Sequence, residues 1–310
     1  MPPYAFLKNE FMPLSEAKIG IMTHALHYGT ACFEGIRGNW NAEDDQLYLF
    51  RCREHYKRLL NSCKLLKIKL PYSIDDLCRM TVELVQKSGY REDVYIRPLA
   101  YKSSEALGVR LHDLDDDLLM IVTTFGPYLD VTKGIKCTTS SWRRIDDNMI
   151  PPRGKICGLY VNNAFAKTEA IESGSAEAIM LTSDDNVSEG TGENIFLVFD
   201  NRLVTPTSND RILLGITRET VMQLAKDELG IETTERRIDR SEMYMADECF
   251  LTGTAAHVTP VVEIDNRLIG DGAIGKLTLE LQNLYFDIEC GRNKKYIQWC
   301  SPVYTNKSVG

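Results

Sequence analysis

No stretch of this chain approaches the roughly 18 consecutive apolar residues that read as a membrane-spanning helix. Met1 to Glu10 has neither a basic segment nor a long apolar core, so a secretory signal is not expected at this end. Net positive charge is missing as well. With 36 Lys and Arg against 44 Asp and Glu, the chain carries −8 at pH 7, which argues against nucleic acid and anionic membrane as partners, since both need a basic face. The nine cysteines are an odd set without a C-x-x-C pair or a Cys/His cluster at zinc spacing. No metal site is therefore expected, and a reduced, cytoplasmic compartment fits best. Internal repeats and low-complexity segments are also absent. What is present is 310 residues of 44% hydrophobic content, enough to bury a large core and usually divided between two domains.

The first part alternates strand and helix patterns. Tyr4 to Phe6 and Phe11 to Leu14 read as a hairpin around Lys8-Asn9-Glu10. The block Thr23 to Arg37 crowds His, Tyr, Phe and Arg around glycines, as a core helix could. His24, His27 and His55 read as structural, because no third ligand stands at metal spacing. Gln46 to Phe50 is a strand running into a helix from Arg51, with apolar positions 56, 59, 60 and 63 at helical spacing and Arg58 close enough to that stripe to point inward. Ser73-Ile74-Asp75-Asp76 resembles a capping box, and Gly89 ends the helix it opens. Asp93 to Leu99 is a strand with Tyr95 and Arg97 on one face. Such an arginine either grips a ligand carboxylate or pairs with a glutamate on a neighbouring strand. The acidic run Asp113 to Asp117 reads as a solvated turn before a buried strand, Leu118 to Thr123. Phe125 to Asp130 reads as a linker, giving an α/β domain at 1–125, a connection at 126–134 and a larger domain at 135–310.

The second part opens with a strand, Ile135 to Ser141. Lys155 lies between the Pro151-Pro152 turn and a helix from about Gly158 to Ser173, stopped by Gly174. A lysine there is ordinarily exposed; with a pKa depressed by burial it could form a Schiff base. Ala178 to Leu181 is a strand and Asp184-Asp185-Asn186 its turn. In the stretch Asn186 to Phe199, Gly190 and Gly192 bracket a polar turn and Ile195 to Phe199 reads as a buried strand, which puts Glu193 at the strand's mouth, facing a ligand. A glycine-rich hairpin with a solvated glutamate explains the same spacing. Leu213 to Thr220 starts a helix ending at Gly230, whose first N–H groups and dipole suit a phosphate. Glu248 to Leu251 is a strand delivering the small-residue turn Thr252 to His257, and an amphipathic helix from about Ala273 to Ile288 closes the fold.

An isolated lysine, a glutamate after a glycine turn, a helix N-terminus and an inward arginine together suit one cofactor, pyridoxal 5'-phosphate. Its aldehyde needs an amine, its pyridine nitrogen a carboxylate, and its phosphate an arginine plus backbone donors.

Several blocks carry a resemblance in the same order. His24-Ala25-Leu26-His27-Tyr28-Gly29-Thr30 with Phe33-Glu34-Gly35-Ile36-Arg37, Tyr95-Ile96-Arg97-Pro98, Ser188 to Asn194, Gly215-Ile216-Thr217-Arg218 and Gly253-Thr254-Ala255-Ala256 look like the branched-chain amino acid aminotransferases. The likeness runs from about Tyr4 to Leu284. It implies the two-domain α/β (α+β) architecture of fold-type IV, class IV enzymes, similar to D-amino acid aminotransferase, with the cofactor at the domain interface of a homodimer. It also implies transamination of L-leucine, L-isoleucine and L-valine with 2-oxoglutarate.

Carried over by position, Lys155 would be the catalytic residue, Glu193 would meet the pyridine nitrogen and Tyr160 the phenolic oxygen. Arg58, the Ile216 and Thr217 amides and Thr254 would take the phosphate. Tyr95 with the Thr254-Ala255 backbone would receive the α-carboxylate. Apart from the resemblance, Arg97 is the cation beside Tyr95 on its strand and is expected to meet the γ-carboxylate of glutamate, with a hydrogen bond from the neighbouring subunit's Tyr28. Phe33, Gly35, Phe125, Tyr128 and Tyr160 would line the pocket, with Tyr28 and Val109 lent by the neighbouring subunit. His257 stands where the family often has Glu, and Phe125-Gly126-Pro127 where some members carry Trp; both bear on pocket width. Sister activities on the same fold are D-amino acid or (R)-amine transamination and aminodeoxychorismate lyase chemistry, and a phosphate-binding module without chemistry is the reading from another class.

Overall fold

The computed structural model describes residues 3–126 and 129–304. By its internal contacts the chain divides into two compact units. One is Met1–Gly126 with Gly154–Gly158 and Asp287–Gly310; the other is Pro127–Arg153 with Leu159–Phe286.

In the first unit, Tyr4–Leu7 (β1) and Glu10–Pro13 (β2) form a hairpin whose Lys8 and Asn9 both have positive φ, the backbone of a tight two-residue turn. The block from Thr23 is not one core helix. His24–Tyr28 (α1) stops at Gly29, at φ 64°, and Ala31–Phe33 (β3) and Ile36–Asn41 (β4) follow as strands. The competing pull is strand pairing. After Gln46–Phe50 (β5), Cys52–Leu65 (α2) and Ile74–Ser88 (α3), the chain lays down Val94–Lys102 (β6), and β4 and β3 pair with successive halves of it. The partner changes at Pro98, which has no N–H to donate, and Pro98 O accepts Glu34 N at 2.9 Å. Asp116–Thr124 (β7) pairs with the other edge of β6. Ser73 and Asp76 form the reciprocal cap of α3, and Gly89 at φ 70° ends it.

Two expectations are corrected in this unit. The acidic run is not all solvated turn: Asp116 and Asp117 lie in β7, where Asp116 pairs at 2.8 Å with Lys102 and Asp117 accepts from Tyr101 at 3.0 Å. Also, residues 287–304 do not belong with the rest of the domain expected at 135–310. The strand Cys300–Pro302 pairs with β5, and Gln46 bonds the backbone at Val303 and Tyr304, so the tail's backbone groups are satisfied in the first unit.

The second unit is built on a mixed sheet. Ile135–Arg143 (β8) is followed by Tyr160–Glu172 (α4), Glu177–Leu181 (β9), Val187–Gly190 (β10), Asn194–Phe199 (β11), Arg202–Thr205 (β12), Ile216–Leu229 (α5), Thr233–Glu235 (β13), Glu248–Gly253 (β14), His257–Ile264 (β15) and Lys276–Glu289 (α6). Among the described residues the sheet order is β10-β9-β8-β15-β14-β11-β12-β13, with β8 parallel to both its neighbours. Nearly every residue of β9, β10 and β11 is buried, including the polar ones. A strand covered on both faces reads as continuous burial instead of alternation.

Candidate active site

The first unit's cluster hangs on β6. Val94 and Ile96 are buried in the core, while Tyr95 and Arg97 share the other face, as the period of two requires. A side chain at Gly35 would collide with the Tyr95 hydroxyl, so glycine there makes room for the tyrosine. The Phe125 ring lies 4.7 Å from that of Tyr95. Arg97 spreads its guanidinium 4.4 Å above Phe33 and 5.3 Å from the Tyr95 ring, and its Nη2 stands 3.4 Å from the Tyr95 hydroxyl. Among the described residues no carboxylate pairs with Arg97, and its buried Nε has no hydrogen-bond partner. The neighbouring-strand glutamate considered from the sequence is not what it meets.

Arg58 has a protein partner. Its Nε and Nη2 donate to the two oxygens of Glu34 at 2.6 and 2.8 Å, and His55 Nδ1 lies 2.7 Å from the same carboxylate. His55 and Arg58 are one turn apart on α2 and so share a face. Glu34 has no exposed surface. Burial alone would raise its pKa, but the charge and hydrogen bonds of Arg58, with those of His55, hold it well below the ordinary 4.5. Burial lowers the His55 pKa against the pull of Glu34.

Lys155 is tied to this cluster by its backbone. Its N–H donates to Ser62 Oγ at 3.1 Å, and its carbonyl accepts from Phe33 N at 3.0 Å. Its Nζ stands 5.1 Å from the Phe33 ring centre. These bonds explain why 154–158 belongs to the first unit although the flanking chain does not. Two expected pocket residues lie elsewhere in that unit. The Tyr28 hydroxyl accepts from Gly108 N at 3.0 Å, and Val109 is 89% exposed. Tyr128 lies outside the described residues.

In the second unit Glu193 is 4% exposed, so the solvated hairpin does not describe it. Its turn is tight: Gly190 N donates to Glu193 O at 2.7 Å, and a Cβ at 190 would come within 2.8 Å of Glu193 Oε2. Neither Gly190 nor Gly192 has a positive φ, so space, not an unusual backbone conformation, is what glycine supplies at 190. Glu193 Oε2 accepts from Gly192 N at 3.0 Å. Desolvation, then the charge of Glu177, pushes its pKa up to about 8 against the pull of the Gly192 amide and Lys167. Glu177 itself is fully served, by Lys167 at 2.6 Å, Thr191 at 2.7 Å and Ala178 N at 2.8 Å. Alongside, Arg144 pairs with Glu189 at 2.5 Å, and Glu189 accepts from Asn194 and Leu213 N, each at 3.0 Å.

Helix α5 starts after Gly215, so the amides of Ile216 and Thr217 fall in its first turn, where no intrahelical acceptor exists. Arg218, next to them, is turned away to Glu235 at 2.6 Å. Thr254 and Ala255 are half-buried in the turn between β14 and β15, and Thr252 just before it keeps a buried hydroxyl with no hydrogen-bond partner among the described residues. His257 ends the turn at φ 55° with its ring 4.9 Å from Phe286. Tyr160 is the first residue of α4 and half-buried.

These groups fit pyridoxal phosphate. A buried carboxylate with an amide but, among the described residues, no cation paired with it matches a protonated ring nitrogen, first-turn amides match a phosphate, and a lysine with a fixed backbone matches an aldehyde. Sequence reasoning missed Glu34, Ser62, Glu177, Lys167 and Arg144. The i, i+3 and i, i+4 spacing of His55, Arg58 and Ser62 on one helix was the signal for the first two; the others are joined only by sheet pairing.

The Amino-transferase class IV family pattern matches residues 31–264. The chain is 52% identical over 301 residues to the probable branched-chain-amino-acid aminotransferase of Aquifex aeolicus, covering 97% of each chain. It superposes with a TM-score of 0.93 at 41% identity on the branched-chain aminotransferase of Thermoproteus uzoniensis solved with norvaline, covering 97% of this chain and 99% of that one. The branched-chain amino acid aminotransferase of Thermobaculum terrenum, solved in its PLP-form, matches at a TM-score of 0.94 and 36% identity, covering 98% of this chain and 99% of that one.

Proposed function

This chain belongs to the class IV aminotransferases, among the branched-chain-amino-acid aminotransferases, and on that premise we propose that it exchanges amino groups between L-leucine, L-isoleucine or L-valine and 2-oxoglutarate. Pyridoxal phosphate, when bound, supplies the electron sink for the carbanion at the substrate Cα. The observation that carries the reading is Glu193, a buried carboxylate that no cation of the described residues pairs with. With a proton held on the ring nitrogen it becomes half of an ion pair.

Lys155 Nζ would take the proton from the substrate Cα and deliver it to C4′ of the bound cofactor, two bonds further on. Arg58, oriented by its two bonds to Glu34, the Ile216 and Thr217 amides at the start of α5 and Thr254 would hold the phosphate, and Tyr160 would bond the phenolic oxygen. Tyr95 and the Thr254-Ala255 backbone orient the α-carboxylate. Phe33, Gly35 and Phe125 offer the apolar wall a branched side chain needs. Arg97 meets the γ-carboxylate of glutamate, since burying that group unpaired is prohibitive; its unpartnered Nε supports this.

We also infer a homodimer in a reduced, cytoplasmic setting. The exposure of Ile21 at 82%, Leu26 at 62% and Val109 at 89% supports a covering subunit, to whose pocket Tyr28 and Val109 would contribute. All nine cysteines are free, which supports the compartment. No helix among the described residues is long and apolar enough to cross a membrane.

The test is Lys155→Ala. It should keep the cofactor through the phosphate contacts yet lose its lysine-dependent visible absorbance and nearly all turnover with leucine and 2-oxoglutarate. Retained turnover refutes the role of Lys155. A panel of L-amino acids, D-amino acids and (R)-amines tests the substrate class.

A further inference from the structure

We propose that Ser62 is a positioning residue for this reaction, fixing the backbone of Lys155 against the turn of α2 that carries Arg58. The proposal rests on the roles given above to Lys155 and Arg58. The Ser62 hydroxyl makes two bonds, accepting Lys155 N–H at 3.1 Å and donating to the Arg58 carbonyl at 3.0 Å. A hydroxyl has one proton. The amide can only donate and the carbonyl can only accept, so both directions are fixed and the hydroxyl is a one-way bridge from the lysine to the arginine. Ser62 is 1% exposed, which keeps water from taking over the bridge.

The other backbone group of Lys155 is tied as well. Its carbonyl accepts from Phe33 N at 3.0 Å, and Ile156 makes an antiparallel bridge with Cys32. The two anchor points are packed together, because the thiols of Cys32 and Cys63, neighbours of Phe33 and Ser62, lie 3.6 Å apart. Lys155 is therefore held from α2 on one side and from β3 on the other, and Nζ swings from a fixed base. Arg58 is set by the same two elements, its carbonyl by Ser62 and its guanidinium by Glu34, which follows Phe33. The cofactor's two attachments, covalent and ionic, thereby share one frame. Deleting the hydroxyl releases the α2 side of that frame and leaves the Glu34–Arg58 pair in place.

The experiment compares Ser62→Ala and Ser62→Thr with the unaltered holoenzyme. Three quantities are read: the rate at which added pyridoxal phosphate becomes fixed to Lys155 on borohydride reduction, the pH midpoint of the bound cofactor's visible absorbance change, and the unfolding temperature. Ser62→Ala should slow fixation by about five- to tenfold, the worth of one buried hydrogen bond, and shift the absorbance midpoint. Ser62→Thr, which keeps the hydroxyl, should restore both. Unaltered fixation and midpoint in Ser62→Ala overturn the proposal. So does a Ser62→Thr variant as slow as Ser62→Ala at an equal unfolding temperature. If the unaltered protein fixes no cofactor on Lys155, the functional reading fails instead.

Discussion

Glu34 and Glu193 are both buried carboxylates, and the protein treats them in opposite ways. Glu34 receives a two-pronged arginine and a histidine, and stays ionised far below its ordinary pKa. Glu193 receives one amide and, behind it, a second carboxylate already occupied by Lys167, and its pKa rises to about 8. Burial is common to both, so the partner decides the sign. The same contrast separates two arginines: Arg58 is paired within the chain, while Arg97 rests on Phe33 and Tyr95 with no carboxylate among the described residues. Glu34 is completed by the chain, whereas Glu193 and Arg97 are proposed to be completed by a ligand; Arg58 is held by Glu34 and is proposed to meet the phosphate from that fixed position.

If the partner is what separates the two glutamates, taking it from Glu34 should have the largest effect. Arg58→Met should destabilise the cofactor-free protein by about 3–5 kcal/mol, because a buried charge loses its main counter-ion. Adding Glu34→Gln to the same chain should recover much of that loss in urea unfolding. A small loss in the single variant, or no recovery in the double, means the pair is not what keeps Glu34 ionised.

A smaller effect is expected at Arg97. Arg97→Leu should weaken the half-reaction of glutamate by about 1.5–3 kcal/mol, a charge-assisted hydrogen bond, and touch that of leucine much less. Single-turnover rates with each amino acid decide it; equal losses would give Arg97 to the α-carboxylate or to the fold.

The gentlest probe is pH. Glu193 has a folded pKa above its ordinary 4.5, so the folded state holds a proton that the unfolded state has lost. Its contribution to stability therefore falls as pH rises from about 4.5 to about 8, with a slope of at most about 1.4 kcal/mol per pH unit, and is flat above. Glu193→Gln should abolish this component in unfolding of the cofactor-free protein. Glu34 has the opposite sign, its contribution being present above 4.5 and lost only well below it. A variant whose unfolding keeps the full slope would show that another group carries it.

Features with local causes were legible in the amino-acid sequence alone. Ser73 with Asp76 and the glycines at 89 and 230 set helix ends through their own backbones and caps. The alternation in β6 put Tyr95 and Arg97 on one face, and Gly215 before Ile216 marked a helix start with open amides. The motif blocks located the candidate residues because each block is a short continuous stretch.

Packing between distant segments decided the rest. A run that could have been one helix from Thr23 became a short helix and two strands, because one edge of β6 offers two successive halves and backbone pairing outweighs local propensity. Residues 154–158 and 287–304 joined the first unit through hydrogen bonds to partners far away in sequence, which no local pattern records. Above all, whether a carboxylate is ionised depends on what packs against it. Glu34 and Glu193 both adjoin a glycine in the sequence; Arg58 with His55 holds the first well below its ordinary pKa against burial, while desolvation, with the charge of Glu177 added, raises the second.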